Sequence, residues 1–264
     1  MTDTQRLRAI DGYLLDMDGT IYLGDKLFPF TVPFLDCLRT LGKRRLWLTN
    51  NCSKAPDDYI AKLRGMGIDA TLDDLFTSGH ATVAFLNSQK PGARLFVLGT
   101  PSFERQLREA GFVLTADRPD YVLASFDLTL TYDKLRTACD LIQQGVPFIS
   151  SHPDKVCPTE TLPIPDSGAI CAAITATTGV EPRYFGKPYA EMVQGAMGRL
   201  GTQPERTAMI GDRLYTDMKM AQNAGITSIL VLTGETKREH LPDSPIQPDF
   251  VFESLAELTA ALRR

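Results

Sequence analysis

The sequence contains no run of about 18 apolar residues, the length a membrane-spanning helix requires, so no membrane partner is expected. No basic block is longer than Lys43-Arg44-Arg45. With a formal net charge of −4, the chain offers no strongly positive face to nucleic-acid phosphates. No GxxxxGK[ST] run is present, which disfavours a P-loop kinase. The five cysteines (Cys37, Cys52, Cys139, Cys157 and Cys171) include no CxxC pair. An odd set scattered over 264 residues is no disulfide framework and points to a reduced, cytoplasmic setting. Met1 to Arg8 is polar and no apolar signal core follows it. His80 and His240 each lack a second histidine at metal-binding spacing, and no short repeat or low-complexity stretch is visible.

What is present is the composition of an ordinary globular protein, 43% hydrophobic and 23% charged, long enough for two domains. Gly12 to Asp16 reads as a short buried strand ending in a carboxylate. Val32 to Leu41 has helical spacing, Arg45 to Thr49 is a second strand, and Pro56 to Met66 is a helix opened by proline. The alternation restarts after Phe76-Thr77-Ser78-Gly79. Strands are expected at Leu95–Leu98, Tyr121–Ala124 and Pro147–Ile149, with helices at Phe103–Ala110, Leu135–Gln143 and Gly168–Thr178. A helix through Arg199, a strand Thr207–Ile210, a helix Asp217–Ala224, a strand Ser228–Leu232 and a helix Leu255–Leu262 complete the chain. Strands alternating with helices in this way predict an α/β fold, a doubly wound parallel sheet covered on both faces.

The chemistry concentrates at strand ends, where open parallel sheets gather their ligands. Asp16-Met17-Asp18-Gly19-Thr20 follows the first strand. One carboxylate there can attack phosphorus, and an acid two residues on can protonate the leaving oxygen; alone, the segment also reads as a plain Asp-Gly turn. Gly211-Asp212-Arg213 ends a later strand, with Asp217 behind it. Asp212 offers a second carboxylate for a hard cation such as Mg²⁺. Asp217 reads equally as its support or as an acid favoured at a helix start. Thr49 could grip phosphate oxygens with its hydroxyl and the backbone N–H groups after it. Lys187, in Gly186-Lys187-Pro188, could offset the repulsion between these acids and an incoming phosphate.

In order and content these four segments resemble the haloacid dehalogenase superfamily, and the resemblance covers nearly the whole chain. Leu48 to Lys54, Gly186-Lys187-Pro188 and the long insertion between them are similar to its NagD-type, p-nitrophenyl-phosphatase-like branch. The resemblance implies Asp16 as nucleophile and metal ligand, and Asp18 as general acid, then base, with its carbonyl on the metal. It implies Thr49, the N–H of Asn50 and Lys187 as phosphate holders, Asp212 as a further Mg²⁺ ligand and Asp217 as its support. The acid at Asp18 points to a phosphatase or mutase, since the family's dehalogenases lack that donor. Arg213 departs from the asparagine that many relatives carry.

The resemblance also implies a Rossmann-like core at residues 1–78 and 184–264, with an α/β cap inserted at 79–183. Ser150 to Lys155 resembles the family's substrate-facing Asn-Pro-Asp loop, with His152 in place of asparagine, which makes His152 and Asp154 the expected substrate-binding residues of the cap. Asp166 stands where a Pro-Gly-x-Gly turn usually has glycine, and Asp166 or Ser167 also suits a helix cap. The expected function is Mg²⁺-dependent hydrolysis of small phosphorylated metabolites such as sugar phosphates. The expected partner is that metabolite alone, with pairing into a homodimer through the cap implied by analogy. A phosphomutase of the same fold and a phosphoryl-accepting regulatory domain are the alternatives.

Overall fold

Gly12–Leu15 is buried at every position, as a strand covered on both faces must be. It lies inside a six-stranded sheet ordered Phe250–Phe252, Thr227–Val231, Thr207–Gly211, Gly12–Leu15, Arg44–Thr49, Leu75–Thr77, in which every pairing is parallel. This is a computed structural model, and it describes residues 3–159 and 161–263.

The two-residue period of a strand sends alternate side chains to opposite faces. Tyr13, Leu15, Trp47 and Ile210 pack on one side with Phe34 and Leu38 of the helix Thr31–Thr40 and with Leu258 and Leu262 of the helix Leu255–Arg263. Leu14, Leu46, Leu48 and Met209 pack on the other against Met192, Ala196 and Leu200 of the helix Ala190–Leu200. Each such side chain contributes about 1.5–3 kcal/mol on burial, which offsets the cost of carboxylates buried at one end of the sheet. Arg44–Thr49 is the next strand of this sheet after Gly12–Leu15, whereas Thr207–Gly211 comes only after the chain has built the second sheet. The carboxyl ends of these three strands therefore diverge around a switch-point crevice.

The insertion builds a second, all-parallel sheet ordered Arg183–Tyr184, Phe148–Ser150, Tyr121–Ala124, Arg94–Leu98, Val113–Leu114. Helices Tyr132–Gln143 and Ser167–Thr178 supply it with a core around Ile142, Ile170 and Ile174.

The structure adds to or departs from the sequence reading at several places that bear on the site. A helix Ser78–Gln89 follows Leu75–Thr77 and packs on Ala190–Leu200. Its buried positions are largely small or polar (Ser78, Gly79, Ala81, Thr82), so it lacks an apolar stripe. Its start is fixed by a reciprocal cap: Thr77 Oγ1 accepts from His80 N–H at 3.2 Å, and His80 Nδ1 from Thr77 N–H at 3.0 Å. Burial, with Arg199 nearby, holds His80 down to about 4, which leaves the neutral ring that can accept. Leu75–Thr77 and Phe250–Phe252 also went unforeseen, at three residues each too short to display a period. Asp217 lies inside a wide π-type turn, Leu214–Met218, rather than opening a regular helix. Of the two cap candidates, Asp166 and Ser167, it is Asp166 that caps the helix Ser167–Thr178, by accepting Ser167 N–H at 2.6 Å. Among the described residues no helix is long and apolar enough to cross a membrane.

Candidate active site

Asp16 leaves the first strand still paired, its N–H donating to Ile210 C=O at 2.9 Å, and this fixes its carboxylate at the crevice. The chain then turns sharply at Gly19, whose φ of +85° favours glycine and where a Cβ would come within 2.6 Å of Asp212 Oδ2. Asp18 stays partly buried, with Tyr22 Oη donating to its Oδ2 at 3.4 Å. Thr49 Oγ1 accepts Asn51 N–H at 3.1 Å and keeps its own proton to donate. Asn50 holds the main chain of Lys187 from both sides: Oδ1 accepts Lys187 N–H at 2.6 Å, and Nδ2 donates to Lys187 C=O at 3.1 Å.

That grip aims Lys187 inward. Its buried ammonium donates to Asp16 Oδ1 and lies 2.7 Å from Asp217 Oδ1. Burial alone would lower its pKa, but Asp16 and Asp217 carry it above the ordinary lysine value. Asp217 Oδ2 accepts Arg213 N–H at 3.1 Å. Asp212 is fully buried; its Oδ2 accepts Glu235 N–H at 2.7 Å and its Oδ1 accepts from Thr20 Oγ1 at 3.4 Å. A Cβ at Gly234 would overlap that carboxylate.

Acids dominate this crevice. Burial pushes Asp16 up to about 7, with Asp212 adding to the shift and Lys187 opposing it. Asp212 and Asp217 are each pushed up to about 6, again chiefly by burial. Burial also raises Asp18. Ligand oxygens of Asp16, Asp212 and Asp217 lie within 4.8 Å of one another. The Lys187 ammonium and the Arg213 guanidinium, which is already paired with Asp154 and Glu235, do not balance these carboxylates, and an all-oxygen, acid-rich donor set of this kind suits Mg²⁺.

His152, Asp154 and Asp166 form a second cluster of metal-ligating side chains, but two of its acids already have cations. His152 is fully buried, its Nε2 2.8 Å from Asp166 Oδ1 and its Nδ1 2.8 Å from Ser151 Oγ. Burial would lower its pKa, yet Asp166 above all raises it to about 10. Asp154 Oδ2 accepts from Arg213 Nη1 at 2.8 Å. The structure thus brings Asp16, Asp18, Thr49, Asn50, Lys187 and Asp154 around one cavity, with Asp212 and Asp217 packed behind it. His152 is not among the side chains lining that cavity, whereas Asp166 and Arg213 are. The cavity holds about 20 Å³, roughly the room for one water.

Sequence reasoning did not reach the loop Thr233-Gly234-Glu235. It follows the strand Thr227–Val231, donates to Asp212, and ties to Gly19 C=O through Thr233 Oγ1 at 2.6 Å. A glycine-containing loop at the carboxyl end of a parallel strand was the available signal.

Two family models match the chain: haloacid dehalogenase-like hydrolase over residues 13–113, and HAD hydrolase-like over 184–258. The chain is 35% identical to the 5'-nucleotidase YutF of Bacillus subtilis, over 95% of this chain and 98% of that protein. It belongs to the haloacid dehalogenase-like hydrolase family. An acid sugar phosphatase of Staphylococcus aureus is likewise 35% identical, over 98% of this chain and all of its own length. The crystal structure of a 4-nitrophenylphosphatase from Thermotoga maritima superposes with a TM-score of 0.93 at 45% identity, covering 97% of this chain and 99% of that one. Within the family the chain is a phosphomonoester hydrolase of the NagD and p-nitrophenyl-phosphatase branch.

Proposed function

We propose that this hydrolase cleaves small phosphorylated metabolites, sugar phosphates among them, through an aspartyl-phosphate on Asp16. The observation that carries the reading is the buried carboxylate of Asp16, held by Lys187 and followed two residues on by the raised acid Asp18.

In the first step an Asp16 oxygen attacks phosphorus while Asp18 protonates the departing alcohol oxygen, and the P–O bond to that alcohol breaks. Burial raises the pKa of Asp18 above the ordinary aspartate value, the direction that favours a proton donor. In the second step the Asp18 carboxylate takes a proton from water, the water oxygen attacks phosphorus, and Asp16 is released as a carboxylate with inorganic phosphate. Thr49 Oγ1, the N–H of Asn50 and the Lys187 ammonium hold the phosphoryl oxygens where charge develops. Asp16, the Asp18 carbonyl and Asp212 are the proposed Mg²⁺ ligands, with Asp217 orienting Lys187 beside them. Bound there, the cation neutralises phosphoryl charge that the surrounding acids would repel. The segment 79–183 acts as the cap, excluding water from the closed site.

Phosphate release from p-nitrophenyl phosphate, with and without Mg²⁺, tests the reading in wild type and Asp16→Asn. Metal-dependent turnover in the wild type that vanishes in Asp16→Asn is expected. Equal activity in both proteins would remove Asp16 from the mechanism.

A further inference from the structure

Asp154 belongs to the inserted sheet's loop, yet both of its carboxylate oxygens are occupied by the core. Oδ1 accepts from Asn50 Nδ2 at 2.9 Å and Oδ2 from Arg213 Nη1 at 2.8 Å. Both charged partners are buried, at 6% and 7% exposure, so the pair is not a solvated surface contact of small worth.

Each core partner leads on into the catalytic machinery. Asn50 grips Lys187 N–H and C=O with the same amide that meets Asp154. Arg213 adjoins Asp212, gives its N–H to Asp217, and sets Nε 3.0 Å from Glu235 Oε2; Glu235 N–H in turn holds Asp212. Arg213 Nη2 also donates to Val156 C=O at 3.3 Å, a second bond to the inserted segment. One carboxylate therefore joins the Thr49–Asn50 loop, the Lys187 segment and the Asp212–Asp217 loop. Its own backbone is anchored as well: Asp154 C=O accepts Gly168 N–H at 2.7 Å, and a Cβ at Gly168 would collide with Pro153 C=O. A rigid mount of this kind transmits position.

We infer that Asp154 is a positioning residue, the pin through which the closing cap sets Asn50 and Arg213 and, through them, Lys187 and the Asp212–Asp217 loop. Each of its oxygens is engaged by a core side chain, so its role is assigned to setting those side chains rather than to reading the leaving group. This inference rests on the phosphatase reading and assigns Arg213 the matching role on the core side.

The test compares wild type with Asp154→Asn, Arg213→Met and the double variant, on p-nitrophenyl phosphate and a panel of sugar phosphates at saturating Mg²⁺. Asp154→Asn keeps the side-chain shape, and circular dichroism checks that each variant is folded. A positioning role lowers kcat by the same factor for every substrate, on the order of 10²-fold, with KM little changed. It also makes the double variant no worse than the poorer single one, because both remove one bridge. A rise in KM confined to sugar phosphates, with p-nitrophenyl phosphate turned over normally, would make Asp154 a substrate contact and overturn the inference. Unchanged kinetics in the single variants, or strictly additive losses in the double one, would overturn it too. A wild type inactive on every phosphoester would instead refute the phosphatase reading itself.

Discussion

The ammonium of Lys187 is bound to the carboxylate of Asp16 across 171 residues of sequence. The insertion lies between them, so the pair forms only when the chain returns from the second sheet to the first. Lys187→Met leaves the phosphoryl charge without the ammonium that reaches Asp16. A loss on the order of 10²–10³-fold in kcat is expected. Lys187→Arg restores little, because a planar fork does not fit a pocket shaped for a compact ammonium between two carboxylates. Steady-state kinetics of the two variants check this.

Magnesium and pH are linked at the acid cluster. Asp16, Asp212 and Asp217 have folded values of about 7, 6 and 6, above the unfolded value of 3.8. Their stabilising contribution is therefore present below about 4 and is lost as pH rises through 6 to 7. The cation binds the ionised form and reverses that loss. The rise in Tm on adding Mg²⁺ is expected to be small at pH 5 and larger at pH 8, as read by thermal unfolding. An equal rise at both values would contradict it.

Asp18→Asn separates the two chemical steps. p-Nitrophenolate is a good leaving group and needs little protonation, so phosphorylation of Asp16 continues, while attack by water loses its base. A burst of about one equivalent of p-nitrophenolate followed by near-arrest is expected. Alkyl phosphates, whose leaving group needs the proton, show no burst. Stopped-flow absorbance distinguishes these outcomes.

The His152–Asp166 pair makes a structural prediction. His152 is raised from 6.5 to about 10 in the folded state, so its contribution is fully present below about 6.5 and is lost as pH rises through 10. His152→Gln leaves Asp166 buried without its charged partner, at a cost of about 3–5 kcal/mol near neutrality. The gap in Tm between wild type and His152→Gln should narrow between pH 7 and pH 10, as measured by thermal scans.

How much of this was legible follows from the physics of each element. Asp16, Asp18, Thr49, Lys187 and Asp212 each stand at or just beyond an apolar strand or beside a glycine turn, so local pattern located them. Their convergence depended on strand order, which periodicity does not encode, and it was reached through the resemblance. The bonds of Asp154 to Asn50 and Arg213 span 104 and 59 residues and leave no local trace. A lone loop histidine such as His152 looks alike whether it faces solvent or a buried partner 14 residues on. The helix Ser78–Gln89 escaped because it buries small and polar side chains, which carry no hydrophobic rhythm.

The central claim is the covalent bond between phosphorus and Asp16. Borohydride cleaves an acyl phosphate reductively, converting the phosphorylated aspartate to homoserine. The decisive measurement is peptide mass spectrometry of the enzyme quenched into borohydride during turnover of p-nitrophenyl phosphate with Mg²⁺. The account predicts homoserine at position 16 alone, dependent on substrate and enriched in Asp18→Asn. Rapid phosphate release with no homoserine at that position, or homoserine at another aspartate, would contradict it.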